Sequence, residues 1–182
     1  MPESSSIILI SGPPGAGKST VAKVLAEGSP VPVAYIEGDT FWDFIVKSKA
    51  GARGEARAQN SRIVIQAMVA SALRYARGGY ETILDFTIGP WHLQPIINAM
   101  METPLNYVIL CPSEQVCAAR AAQRSEGAMP DYGPYRELHG AYCELGEFET
   151  HAIRNDDATP EALAARLRAG LGAGAFRVKA TV

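Results

Sequence analysis

The chain alternates short apolar runs with longer stretches of helical period. Residues 7–10, Ile-Ile-Leu-Ile, are too few for a helix and stop at Gly12 and Pro13, which predicts a strand buried on both faces. From Lys18 the spacing becomes helical, with Val21, Val24 and Leu25 on one face until Gly28 and Pro30 end it. Residues 31–36 predict a second strand, closed by the polar turn Glu37, Gly38, Asp39. Residues 50–54 predict a loop, and a long helix over about 55–77 stops at Gly78 and Gly79. A third strand is expected over residues 80–86, a helix over 90–101, a fourth strand over 105–111, and another helix from Pro112 and Ser113. Residues 148–153 read as a fifth strand, and Thr159 followed by Pro160 reads as an N-cap with proline at the first helical position. Strictly alternating strands and helices predict an α/β fold, because each parallel connection needs a crossover long enough to hold a helix.

Two segments depart from this pattern. Over residues 124–136 glycine, proline and tyrosine replace the aliphatic positions, which predicts a mobile flap, or lid, over about residues 125–140. The glycine- and alanine-rich tail from Gly170, about residues 171–182, is expected to be loosely held.

The 182 residues suit one domain, residues 1–182, and 47% apolar with 20% charged residues is ordinary for a packed globular chain. A net charge of -2 with no basic run argues against a polynucleotide partner. Cys111, Cys117 and Cys143 fit neither a zinc-knuckle nor a CxxC spacing and are expected to be reduced thiols. The first residues carry no positive charge and the apolar run after them is too short for a signal sequence or a span, so a cytoplasmic protein without membrane contact is expected.

The sharpest chemical signal is Gly12, Pro13, Pro14, Gly15, Ala16, Gly17, Lys18, Ser19, Thr20, which satisfies every fixed position of the phosphate-binding pattern G-x-x-x-x-G-K-[ST]. Glycines let backbone N–H groups converge on a phosphate, the lysine reaches the β and γ oxygens, and the hydroxyl after it can ligate Mg²⁺. The following helix adds the positive end of its dipole. A glycine-rich turn can match such a pattern by coincidence, but this one lies between a predicted buried strand and a predicted helix, as the motif requires.

This loop, the Gly38 and Asp39 turn, the apolar strand ending in Asp85, and a late arginine-bearing helix followed by a flap resemble the small-molecule P-loop kinases. Gluconate kinase, shikimate kinase, adenylylsulfate kinase and chloramphenicol phosphotransferase are members of that group. The resemblance spans roughly residues 7–167, and the phosphate loop is its specific part. It implies a three-layer P-loop NTPase fold with a five-stranded parallel sheet in the order 2-3-1-4-5. It also implies transfer of the γ-phosphoryl group of ATP, with Mg²⁺, to a hydroxyl of a small molecule: a sugar acid, an antibiotic or a nucleoside-like compound. A monomer or homodimer is expected.

Residue by residue, the resemblance sets Asp39 toward the acceptor, where a carboxylate can orient the hydroxyl and take its proton; Asp39 also suits an N-cap for a helix through Trp42 and Phe44. Asp85 resembles a Walker B acid beside Mg²⁺, though a strand-end aspartate can simply face solvent. Arg120 and Arg124 share one helix face and correspond to arginines that close over ATP, or else form a solvated basic face; Arg136 is a weaker candidate. Asn155 falls where the adenine is held. Phe41, Trp42, Phe44, Arg53, Arg57 and Arg62 correspond to an acceptor pocket lining, or else the aromatic residues pack a helical subdomain and the arginines are surface charge. His92, His139 and His151 show no ligand pattern and are expected at the surface.

Several features narrow the class further. No Asn-Lys-x-Asp guanine signature is present, there is no second acidic Walker B residue, and the stretch after Asp85 lacks the arginine of many nucleoside monophosphate kinases. A nucleotide-binding switch or adaptor that hydrolyses ATP slowly is the alternative from another class.

Overall fold

The computed structural model describes residues 6–47, 55–100, 103–125 and 127–178. Five strands, β1 (Ile7–Ser11), β2 (Val33–Glu37), β3 (Glu81–Asp85), β4 (Leu105–Leu110) and β5 (Ala152–Ile153), form an all-parallel sheet in the order β2-β3-β1-β4-β5. The helices are α1 (Lys18–Glu27), α2 (Thr40–Asp43), α3 (Glu55–Arg77), α4 (Gln94–Met100), α5 (Glu114–Ala122), α6 (Arg136–Ala141) and α7 (Pro160–Gly172). This is the three-layer P-loop NTPase architecture expected from the sequence. No helix among the described residues is long and apolar enough to cross a membrane.

β1 sits at the centre, pairing Ile8 with Ile83 on one side and Asn106 on the other. Successive strand side chains point to opposite faces, so Ile7 and Leu9 enter one core while Ile8 and Ile10 enter the other. The first core packs Val64 and Met68 of α3 with Ile96 of α4; the second packs Val21 and Leu25 of α1 with Leu163 and Leu167 of α7. Burial on both faces is why residues 7–10 of β1 are an unbroken apolar run. Each such side chain contributes about 1.5–3 kcal/mol.

The long helix spans the predicted residues, and Thr159 caps α7 by accepting from the Ala162 N–H at 3.2 Å. Ser113 caps α5 in the same way, accepting from Val116. Other boundaries shift. β2 begins at Val33, since Val31 is exposed and Pro32 has no N–H for a ladder. The helix expected over 90–101 is divided into a 3-10 turn, Pro90–His92, and α4. Residues 50–54 and Met101 lie outside the described residues.

The fifth strand needs the largest correction. Gly146–His151 form a 3-10 helix, leaving two residues for β5. Side-chain contacts hold that turn in place: Phe148 packs edge-on to Tyr107 at 5.7 Å, and His151 Nδ1 donates to the Tyr107 carbonyl at 2.7 Å. The short strand leaves the start of β4 uncovered, and the tail fills the gap. Tyr107 N–H donates to Phe176 at 2.8 Å, Val178 N–H donates to Leu105 at 2.9 Å, and Arg177 bridges Asn106 antiparallel. The tail expected to be loose from about residue 171 is therefore docked through Val178, with Phe176 buried in the second core.

Candidate functional site

The phosphate loop joins β1 to α1, and four of its carbonyls accept from side chains. Lys18 Nζ donates to Gly12 and Pro13 at 3.1 and 3.2 Å, Tyr132 Oη donates to Pro14 at 2.9 Å, and Asn155 Nδ2 donates to Ala16 at 3.0 Å. In a trans peptide the next N–H points opposite to the carbonyl. Pinning Pro14 and Ala16 therefore aims the Gly15 and Gly17 N–H groups toward the cavity above the loop. Those are the donors an anion needs.

Gly15 has φ +80, and a Cβ there would lie 2.1 Å from the Cys117 carbonyl on α5. Neither group can swing away, since both belong to backbone. Gly15→Ala is expected to cost about 2 kcal/mol or more and to lower the thermal midpoint by about 4–8 °C. Gly140→Ala, on α6 with nothing within 4 Å of the added carbon, serves as the matched comparison and is expected to be neutral or slightly stabilising. Equal melting curves for the two variants would contradict the clash.

Burial lowers the Lys18 ammonium from its ordinary 10.5 to about 8, against Asp85 and then Asp39, which raise it. A bound polyphosphate favours the charged form. The free protein is thus increasingly neutral at Lys18 above about pH 8, so nucleotide affinity falls as pH rises through that value and binding takes up a proton. Calorimetry slightly above that pH, in two buffers of different ionisation heat, is expected to show net proton uptake. Identical heats would separate Lys18 from the bound phosphates.

Three carboxylates line the same cavity as the lysine. Glu37 and Asp85 end neighbouring strands and are paired in register, and Asp39 follows one tight turn later. Gly38 makes that turn possible: its N–H donates to the Asp85 carbonyl at 2.9 Å, and an added Cβ would meet that oxygen, Met68 and the Phe86 ring at 2.7 Å. Asp39 precedes α2 but its side chain makes no capping bond, so the carboxylate stays exposed at the cavity. Asp85 is buried and accepts from Tyr35 Oη at 3.3 Å. Burial raises its carboxyl, opposed by the Ser19 hydroxyl and the Lys18 charge.

Lys18, Ser19 and Thr20 line one cavity of about 370 Å³ together with Glu37, Asp39, Asp85, Arg120 and Arg124. Arg120 also borders a smaller, mainly apolar hollow of about 170 Å³ formed by Thr20, Val21, Ala158, Pro160 and Leu163. Its guanidinium donates to the carbonyls of Asn155 and Asp156 at 3.1 and 2.9 Å. Asn155 lies at the same hollow. Its Oδ1 is buried and finds no partner among the described residues. Asp156 ties this loop to α5 by accepting from the Ser113 N–H at 2.9 Å, a bond that, with the Ser113 hydroxyl, holds its carboxyl below the usual range.

Other candidates lie elsewhere. Arg136 pairs with Glu114 at 2.8 Å and does not line the cavity. Phe41 and Trp42 pack against the first core, while Phe44 is 74% exposed with its ring edge-on to Phe41. Arg62 is exposed, and Arg53 and the side chain of Arg57 lie outside the described residues. His92 is exposed as expected, but His139 and His151 are buried, because each donates to a backbone carbonyl inside the fold. The lid residues 127–141 form an irregular stretch, a 3-10 turn (Gly133–Tyr135) and α6, and buried Tyr132 joins them to the loop. Sequence reasoning missed Glu37, Tyr35 and Tyr132 as site residues. A signal for Glu37 existed, since it ends a strand beside the one that ends in Asp85.

A glycine-rich loop between a central strand and its helix, a buried lysine, and acids at adjacent strand ends define a P-loop nucleotide-binding domain. Within that class the chain belongs to the AAA domain family, whose model matches residues 7–138. No curated protein matches it in sequence. Among solved structures it is similar to the tunicamycin resistance protein of Deinococcus radiodurans, at 20% identity and TM-score 0.72 over 92% of this chain and 96% of that one. A sugar kinase from Janibacter sp. HTCC2649 follows at 18% identity and TM-score 0.65, covering 92% and 95%. The APS kinase of Mycobacterium tuberculosis, solved with AMPPNP and APS, shares 16% identity at TM-score 0.63, covering 94% and 99%. These likenesses establish a common fold over nearly the whole length of each chain.

Proposed function

We propose that the protein is an ATP-dependent phosphotransferase that moves the γ-phosphoryl group to a hydroxyl of a small molecule such as a sugar acid, an antibiotic or a nucleoside-like compound. One observation carries this reading: Lys18, Arg120 and Arg124 share a single cavity with Glu37, Asp39 and Asp85. A site that only holds nucleotide needs the cations and one metal-side acid. An exposed, uncapped carboxylate at Asp39 answers a different need, that of an acceptor hydroxyl losing its proton.

The residues fit ATP and Mg²⁺. Gly15 and Gly17 present their N–H groups above a loop that admits no Cβ at residue 15, and the orphaned Asn155 Oδ1 can accept from an exocyclic amine in the apolar hollow. Ser19 and Asp85 offer the oxygen donors that Mg²⁺ takes. When bound, Mg²⁺ neutralises charge on the phosphate oxygens. Lys18 and Arg120 would bind the polyphosphate, Arg124 would screen the transferred group, and Asp39 would orient the acceptor. Two of the similar structures are kinases, and the nucleotide analogue bound in one of them also supports this assignment. A net charge of -2 supports a small-molecule partner over a nucleic acid, and a cytoplasmic monomer or homodimer is part of the same proposal.

The test is a panel of small alcohols, sugar acids and nucleosides incubated with ATP and Mg²⁺, reading ADP and phosphorylated product together. Acceptor-dependent ADP formation matched by product is expected. Slow hydrolysis unaffected by every acceptor would favour a nucleotide switch instead.

A further inference from the structure

Cys111, His139 and Cys143 come from the end of β4, from α6 and from the turn after it. One ligand atom from each lies within 4.8 Å of the other two, and Cys143 Sγ is 3.9 Å from His139 Nδ1. Cys111 and His139 are buried, and Cys143 is exposed. We propose that these three side chains form a zinc site, separate from the phosphate cavity, that clamps the base of the lid to the sheet.

The chemistry of the donors argues for it. Two sulfurs and one imidazole suit zinc, whereas Ser19 and Asp85 offer only oxygen, the choice of Mg²⁺. Tetrahedral zinc with Zn–S near 2.3 Å and Zn–N near 2.0 Å sets its ligand atoms roughly 3.5–3.8 Å apart, so the cluster closes with side-chain shifts of about 1 Å. The second ring nitrogen is already committed: His139 Nε2 donates to the Pro112 carbonyl at 2.9 Å. That bond fixes the tautomer and leaves the Nδ1 lone pair facing Cys143, the arrangement that orients a metal-bound histidine. Arg154 Nη1 lies 2.9 Å from Cys111 Sγ and would donate to the thiolate from outside the ligand set. The exposed side at Cys143 leaves a fourth position for water. No electron transfer is needed; zinc displaces a proton from each thiol.

The position gives the site its role. Cys111 follows β4 directly, while His139 and Cys143 flank Tyr142, whose ring is buried and whose hydroxyl bonds Ser11 at 2.9 Å. A metal here would hold the carboxyl-terminal end of the lid against the strand beside the phosphate loop.

The full chain, reduced and stripped of metal, is titrated with zinc against a chromophoric chelator, with Mg²⁺ in excess to fill oxygen sites. One equivalent bound is expected, and Cys143→Ser, at an exposed position that leaves the core intact, is expected to weaken binding roughly 100-fold or more. Cobalt substitution should give a thiolate-to-cobalt charge-transfer band that this variant loses in part. Equal zinc affinity in the variant, or cobalt binding without that band, overturns the assignment. So does recovery of a Cys111–Cys143 disulfide from protein that takes up no zinc after reduction.

Discussion

Lys18→Ala is expected to lower phosphoryl transfer by roughly 10²–10³-fold, the loss seen when one preorganised donor to developing charge is removed. The cost arises from position as well as charge. The ammonium is buried, held over the loop by two carbonyls of that loop, and drawn by Asp85 and Asp39 toward the space where the transferred group would sit. Removing it leaves the carboxylates facing a polyanion with less to offset them. The variant also loses the two bonds by which the side chain ties down the Gly12 and Pro13 carbonyls, so weaker nucleotide binding should accompany slower turnover. Parallel measurement of nucleotide affinity and acceptor-dependent ADP release checks both. Near wild-type turnover would remove the loop from the chemistry.

Asp39→Asn should behave differently, reducing transfer by roughly 10²–10⁴-fold, the usual contribution of a positioned base, while nucleotide affinity stays close to wild type. The asparagine keeps size and hydrogen bonding but cannot take a proton. Asp39 makes no capping bond to α2, so its replacement should not unravel that turn. Single-turnover transfer and nucleotide titration on one preparation separate the two effects. Intact transfer would leave Asp39 without a chemical role, and lost nucleotide binding would move it to the metal side.

What could be read from the chain depended on how local each rule was. The run from Ile7 to α1 was legible because a buried strand, a glycine loop and a helix start are each written in neighbouring residues. The helix Glu55–Arg77 was equally legible from its period and its double-glycine stop. The fifth strand was not, since Phe148 and His151 fold into a 3-10 turn through contacts with Tyr107 on another strand. The docked tail has the same origin: its glycines and alanines look loose until the short β5 leaves an edge for Phe176 and Val178 to cover. At the site, Asp39, Asp85, Arg120, Arg124 and Asn155 were named by resemblance and converge in space around the loop. Glu37 read only as a turn residue, because the same resemblance points to the aspartate two residues later. His139 and Cys143 stand one helical turn apart, but their neighbour Cys111 reaches them only through the fold.

The hydroxyl of Tyr132 ends on the carbonyl of Pro14, from a position 118 residues downstream. That carbonyl belongs to the peptide whose other end is the Gly15 N–H, so one rigid plane carries the tyrosine's tether on one edge and the anion's donor on the other. Should the lid swing away, this plane is released to rotate, and the donor turns with it. A tyrosine far along the chain thus steadies the angle of that donor without its own side chain having to touch the anion.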